Sequence, residues 1–265
     1  MEGKKLKKSI HELCFGIKDQ TAIVTGASSG LGMTFAEALA EAGANVAICA
    51  RRYEKLKEVA DRIEDKTEVK VLPIEADVTE EDQVINLVES TIKEFNSLEI
   101  IVNNAGIAAI KNSVDMAVEQ WRKVIDVNLT GVFLCARTAA REMIRAGYGK
   151  IVNIGSIYGE VGDQFHAAPY YASKAAVQNL TRAFAIEWAE FNVNVNCIAP
   201  GFFPSEMTDD IFKDEQAKRY IISRTALKRT GEPFDLKGAL IFLASPASNY
   251  VTGQTIFVDG GWTAL

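Results

Sequence analysis

The sequence predicts an α/β fold, doubly wound: a parallel seven-stranded sheet with helices on both faces. Three observations carry this. Short β-branched runs alternate with longer stretches of helical periodicity along almost the whole chain. The runs are short and rich in β-branched residues, and are linked by helices, as strands of a parallel sheet covered on both faces are. A glycine-rich turn follows the first run directly and opens the first long helix.

The elements follow in order. Thr21–Thr25 reads as the first strand, and a helix then runs from the glycine turn to Ala42. Residues 45–49 (Asn-Val-Ala-Ile-Cys) and 69–74 (Val-Lys-Val-Leu-Pro-Ile) are the second and third strands. Val84, Val88, Ile92 and Phe95 recur three or four residues apart, which puts them on one helical face. Residues 99–103 and 150–155 are the fourth and fifth strands, each a β-branched run. After Pro169 a long helix shows Val177, Leu180, Phe184 and Trp188 on one side. Residues 193–198 and Thr255–Val258 supply the last two strands. No repeat and no linker rich in Pro, Gly or Ser interrupts them, so residues 19–265 read as one domain.

Residues 1–18 differ in composition. Lys4, Lys5, Lys7 and Lys8 precede a short apolar stretch broken by His11 and Glu12, with no small-residue cleavage site after it. A cleaved signal is therefore not expected, the arm reads as a solvated basic extension, and the chain is expected in the cytoplasm. Across 265 residues, hydrophobic side chains are 48% and charged ones 24%, the balance of a folded domain and not of a disordered chain. A net charge of −6 argues against nucleic acid as a partner, and no apolar run is long enough to span a membrane. Cys14, Cys49, Cys135 and Cys197 are scattered, and His11 and His166 are the sole histidines. That excludes a disulfide scaffold and a structural zinc site, so no metal is expected.

In a doubly wound sheet, ligands bind beyond the carboxyl ends of the strands where the strand order reverses. The turn after the first strand reads Thr25-Gly26-Ala27-Ser28-Ser29-Gly30-Leu31-Gly32. Its glycines let the backbone approach a pyrophosphate, and the helix it opens offers free N–H donors and a partial positive charge. Asn103-Asn104-Ala105-Gly106 follows the fourth strand, Ser156 the fifth, and Tyr170 stands four residues before Lys174. With the G-x-x-x-G-x-G spacing of the turn, these motifs resemble the short-chain dehydrogenase/reductase family from Asp19 to the C-terminus. Asp77-Val78, Asn128 in Asp-Val-Asn-Leu-Thr-Gly, and Pro200-Gly201 match as well. The resemblance implies a single Rossmann-type domain. It also implies dinucleotide contacts from Gly26, Ser28, Ser29, Gly30, Leu31, Gly32, Asp77, Val78, Asn104, Ala105, Gly106, Tyr170, Lys174, Pro200 and Gly201.

The candidate catalytic residues are Asn128, Ser156, Tyr170 and Lys174. A lone Tyr/Lys pair would read as surface packing; here the accompanying motifs make it the catalytic pair. Residues four apart share a helix face, and an ammonium beside a phenol is expected to lower the phenol's pKa toward the working range. Ser156 can donate to a substrate oxygen and hold it beside the phenol. The family resemblance implies that Asn128 kinks its helix and holds a water linking Lys174 to solvent. Tyr171 reads as a neighbour pointing elsewhere, and His166 as a surface or substrate-loop side chain. Ser156 and Tyr170 are fourteen residues apart, one more than the resemblance leads one to expect. The surplus falls in the loop 158–169, which carries Glu160, Asp163, Gln164, Phe165 and His166 and is expected to set substrate preference.

The second strand ends in Cys49-Ala50-Arg51-Arg52, with no acid to bond an unmodified ribose. Arginines at a helix start oppose its dipole, whereas a guanidinium fork suits a 2′-phosphate. NADP(H) is therefore the expected cofactor, with Arg51 as the main ligand and Arg52 more peripheral. After the sixth strand, Phe203 and Ser205 match positions that meet the nicotinamide, and residues 206–224 a mobile lid. The activity implied is NADP(H)-dependent interconversion of a ketone and a secondary alcohol. The stretch 149–208 is most similar to gluconate 5-dehydrogenases and related polyol or sugar-acid reductases, with 3-oxoacyl-thioester reductases next. An NADP-sensing scaffold without catalysis is the alternative of another class. The resemblance implies a homotetramer with the Tyr170 helix and the final strand at its interfaces, and the apolar C-terminal run 258–265 would be poorly covered in a monomer.

Overall fold

The computed structural model describes residues 9–265, so the four lysines of the basic arm lie outside the described residues. Its strands are β1 (Thr21–Thr25), β2 (Asn45–Ala50), β3 (Val71–Glu75), β4 (Ile100–Asn103), β5 (Gly149–Ile154), β6 (Val193–Pro200) and β7 (Thr255–Val258). All pair in parallel, in the order β3-β2-β1-β4-β5-β6-β7. The central strands β1, β4 and β5 are buried along their whole length, while the edge strands β3 and β7 are largely half-buried. An edge strand has one neighbour to cover it, so burial on both faces holds only for the middle of the sheet. The third strand starts two residues later than residue 69. The sixth runs on past residue 198 to Pro200, which pairs with Val258.

The helices are α1 (Ile10–Phe15), α2 (Gly30–Glu41), α3 (Tyr53–Glu64), α4 (Glu81–Phe95), α5 (Val118–Ile125), α6 (Gly131–Ala146), α7 (Ala168–Trp188), α8 (Asp209–Lys213), α9 (Glu215–Arg224) and α10 (Pro233–Ala244). Successive strand residues feed opposite layers, as the period of two demands. Val24 packs with Phe35 and Leu39 of α2, Leu56 of α3 and Leu240 of α10. Ile23 packs on the other face with Val84 and Val88 of α4, Met143 of α6 and Phe184 of α7. Among the described residues, no helix is long and apolar enough to cross a membrane.

The extension is not all loose. Ser9 caps α1 by accepting from the Glu12 amide, and Glu12 in turn accepts from the Ser9 amide. Ile17 is fully buried in the core beside α2, so the sequence-read boundary at residue 18 cuts behind a core side chain.

Candidate active site

From β1 the chain winds outward through β2 and β3, then returns to β4 on the other side of β1. The two loops that part there are stitched together. Thr25 Oγ1 accepts from the amides of Asn104 and Ala105, both at 3.1 Å. Asn104 Nδ2 donates to the carbonyls of Thr25 at 2.9 Å and Gly26 at 3.2 Å. Gly26 has φ +66°, and a Cβ there would lie 2.8 Å from the Ala105 Cα. A Cβ on Gly32 would lie 2.3 Å from the Gly26 carbonyl oxygen, so α2 can start this close to the turn only with glycine. Ser29, at the N-cap of α2, spends no side-chain bond on the cap, leaving the first-turn amides to face outward.

A cleft of 500 Å³ opens over this junction. The glycine turn lines it from Gly26 and Ser28 through Gly32, together with Arg51 and Arg52 after β2, and Asp77 and Val78 after β3. Asn104, Ala105 and Gly106 after β4 line it too, as do Ser156, Tyr170 and Lys174. Pro200, Gly201, Phe203 and Ser205 complete the set after β6. The cleft thus gathers every expected cofactor residue. Asn128 alone of the candidate site residues stays outside it, fully buried behind Gly106.

Asn128 occupies a π-helical turn, Asp126–Thr130, between α5 and α6, closed by the Gly131 amide donating to the Asp126 carbonyl. The surplus residue bends the run inward. There the Asn128 Oδ1 accepts from the Ile107 amide at 2.8 Å, and Nδ2 donates to the Ile107 carbonyl at 2.9 Å and to Ser173 Oγ at 3.1 Å. Asn128 thus ties the loop after β4 to α7; its amide bonds go to these groups and not to Lys174.

Ser156 stands at the end of β5 as the cap of a short 3₁₀ turn, its Oγ accepting from the Tyr158 amide at 3.1 Å. Gln178 on α7 donates to the Ser156 carbonyl at 2.9 Å, pressing that turn against the helix. On the same helix, Lys174 Nζ donates to the Ile154 carbonyl at 2.7 Å and lies 5.6 Å from the Tyr170 ring centroid. Tyr171 points away, its hydroxyl donating to the Phe165 carbonyl at 2.7 Å. His166 is exposed.

Electrostatics depart from the sequence reading at the phenol. Burial pushes the Tyr170 pKa above its ordinary value, and the hydrogen bond with Ser156 offsets this only in part. Burial also brings Lys174 down to about 8. Desolvation of both groups therefore outweighs the charge attraction expected from their spacing. At neutral pH Tyr170 holds its proton.

The two arginines, both lining the cleft, turn to different partners. Arg51 reaches Asp77 at 3.7 Å, whereas Arg52 Nη2 donates to Ser28 Oγ and Ser29 Oγ, both at 3.1 Å. Arg52 also grips Glu206, at 2.8 Å from Nη2 and 3.4 Å from Nη1. Lys55 Nζ and Ser29 Oγ donate to the same carboxylate at 3.2 and 3.0 Å. Arg52, by sequence the more peripheral arginine, is the one that faces the glycine turn. Backbone direction at the end of β2, which no spacing reveals, decides between them. Glu206 reads from sequence only as the first residue of the lid; its signal is its place directly after Ser205.

The segment 206–224 contains α8 and α9 and folds over a small apolar cluster of Ile157, Phe202, Ile221 and Trp262. Asp163 joins this segment to the loop 158–169, accepting from Tyr158 at 3.0 Å and from Tyr220 of α9 at 2.7 Å. Trp262 is covered by Phe202, Tyr220 and the Arg224 guanidinium of its own chain. The C-terminal run is therefore less bare than the sequence suggests, with Ala264 and Leu265 at its end exposed.

The residues fit a dinucleotide: a glycine-tight turn, unspent helix amides, and a cationic cluster already holding an anionic group. Comparison with known proteins agrees. A family model described as enoyl-(acyl carrier protein) reductase matches residues 26–263. The chain is 38% identical over 253 residues to 2-dehydro-3-deoxy-D-gluconate 5-dehydrogenase of Dickeya dadantii, covering 94% of this chain and 98% of that one. It is 40% identical over 243 residues to 3-oxoacyl-(acyl-carrier-protein) reductase of Staphylococcus aureus, covering 91% and 97%. The crystal structure of a gluconate 5-dehydrogenase from Burkholderia cenocepacia, in complex with NADP and tartrate, superposes with a TM-score of 0.91 at 38% identity, covering 95% and 98%. On the fold, the cleft and these relatives together, the chain belongs to the short-chain dehydrogenase/reductase family, an oxidoreductase acting on CH–OH groups.

Proposed function

We propose that the protein is an NADP(H)-dependent oxidoreductase that interconverts a ketone and a secondary alcohol on a polyol or keto-sugar acid. One observation carries this reading: a proton-bearing Tyr170, Ser156 and Lys174 share a single cleft with a cationic cluster suited to a 2′-phosphate. The bound cofactor supplies the hydride, or accepts it in the reverse direction. Ser156 donates a hydrogen bond to the substrate oxygen and fixes it beside Tyr170. Tyr170 gives that oxygen a proton in reduction and takes one in oxidation. Lys174, charged below about 8, steadies the negative charge that forms on the phenol oxygen. Asn128 acts from behind, holding the Ile107 loop and α7 in register.

The sugar-acid reading draws on the relatives named for gluconate chemistry. Residues 19–265 act as one catalytic unit in this reading, in the cytoplasm. The half-buried edge strand β7 and exposed Ile186 on α7 are its subunit contacts, with a homotetramer as the assembly. Sedimentation as a monomer at micromolar concentration would remove the assembly.

The test is NADPH oxidation against keto-sugar acids, diketones and oxoacyl thioesters. Turnover is expected with keto-sugar acids. Reduction of the thioesters alone would move the substrate class, and no turnover with any carbonyl would leave a cofactor-binding scaffold.

A further inference from the structure

Glu206 touches neither the catalytic residues nor the core, yet it receives more polar contacts than any other exposed carboxylate near the cleft. Its donors come from two places: Ser29 on the glycine turn, and Arg52 and Lys55 at the start of α3. Arg52 brings Ser28 into the same cluster. The cluster holds two cations against one carboxylate, a surplus of one positive charge. A phosphomonoester carries about −1.5 to −2 at pH 7 and offers three acceptor oxygens, so it matches these donors better than Glu206 does. The two anions cannot share the site, since both need the same N–H and O–H groups.

We infer that Glu206 is a specificity-determining latch: its carboxylate holds the Ser28–Ser29–Arg52–Lys55 cluster until the 2′-phosphate of NADP(H) displaces it, freeing the start of the lid. The inference rests on the reading that the cofactor is NADP(H). Two further features agree with it. The Arg52 hydrogen bond holds the Glu206 carboxyl down at about 2, so the exchange is anion for anion at every working pH. The segment also rests on the turn: a Cβ on Gly30 would come within 3.3 Å of the Ser205 Cβ. Displacing Glu206 therefore shifts the chain immediately before α8. An unphosphorylated dinucleotide carries nothing to compete for the cluster and leaves the latch in place.

Two measurements test it. Fluorescence titration should show Glu206→Gln binding NADPH about three- to fivefold more tightly than wild type, the weight of one exposed ion pair removed, with NADH affinity unchanged. Amide hydrogen exchange should rise across residues 206–213 when 2′,5′-ADP binds the wild-type protein, and not when 5′-AMP binds. Unchanged or weaker NADPH binding by Glu206→Gln, an equal gain for both dinucleotides, or matching exchange with the two nucleotides overturns the latch. A wild-type protein that binds NADH more tightly than NADPH overturns the cofactor reading instead, and the latch with it.

Discussion

At one end of the cleft, Ser156, Tyr170 and Lys174 stand on a buried strand end and a long helix, with Lys174 and Ser156 almost wholly covered. At the other end, Arg52, Lys55 and Glu206 are each about half exposed and come from two places, the start of α3 and the segment before α8. The contrast reflects the task of each end. A proton has to pass over a fraction of an ångström, so its donor is fixed by packing and by bonds such as Gln178 to the Ser156 carbonyl. A phosphate is held by charge, which tolerates looser geometry and is screened by salt. The buried end should therefore respond to mutation through rate, and the exposed end through affinity and ionic strength.

The largest effect belongs to the buried end. Tyr170→Phe should lower turnover about 10²- to 10⁴-fold while NADPH binding persists, whereas Tyr171→Phe should change it little. Stopped-flow reduction assays with both variants check this, and damage from Tyr171→Phe alone would invert the helix register. Next comes pH. With Tyr170 protonated through the neutral range and Lys174 losing its proton near 8, kcat/KM for reduction should fall above about 8, approaching tenfold per unit. A flat profile from pH 7 to 10 would show that the Lys174 charge plays no part.

The same lysine separates stability from function. Its folded pKa lies below the unfolded 10.5, so the unfolded chain binds more protons between about 8 and 10.5 and stability rises with pH in that window. Lys174→Met should then be more stable than wild type at pH 7, by on the order of 1–3 kcal/mol, with the gain shrinking toward pH 10. Urea denaturation at the two pH values decides it.

At the exposed end, Arg52→Ala should weaken NADPH about tenfold at low salt and far less at about 0.5 M, sparing NADH. Arg51→Ala should cost less than about threefold, because its partner is Asp77. Equal losses would mean that both arginines serve the phosphate. The smallest change is expected from Asp163→Asn, which weakens the bridge from Tyr158 to Tyr220. It should raise KM for the carbonyl substrate a few-fold and leave kcat nearly untouched, as a looser lid would.

The same contrast governs what the sequence discloses. The buried end is legible because its side chains hang on elements whose periodicity is written in the chain. Tyr170 and Lys174 are four apart on a helix, and Ser156 follows a β-branched run. The strands are legible from the same runs, and the differences there are of one or two residues at strand ends. The exposed end is not legible because contacts between Arg52 and Glu206 span 154 residues and depend on which way each side chain leaves its loop. Desolvation is invisible for a related reason: no spacing reports how deeply Tyr170 and Lys174 sink, and depth reverses the expected direction of the phenol's shift. Ile17 is lost to the basic arm by its neighbours' composition, although its own side chain is core.

The π turn at Asn128 amounts to one residue too many between α5 and α6. A single-residue deletion at Val127 would let the two helices merge into one straight rod. Each residue lost from a helix turns the upstream segment by about 100° relative to the downstream one. The packed face of α5 and the Asn128 amide would then no longer point where they do together, and the Ile107 loop would lose its anchor without Ser156, Tyr170 or Lys174 being altered. A regular helix would be the more comfortable backbone here, and an idle active site its result.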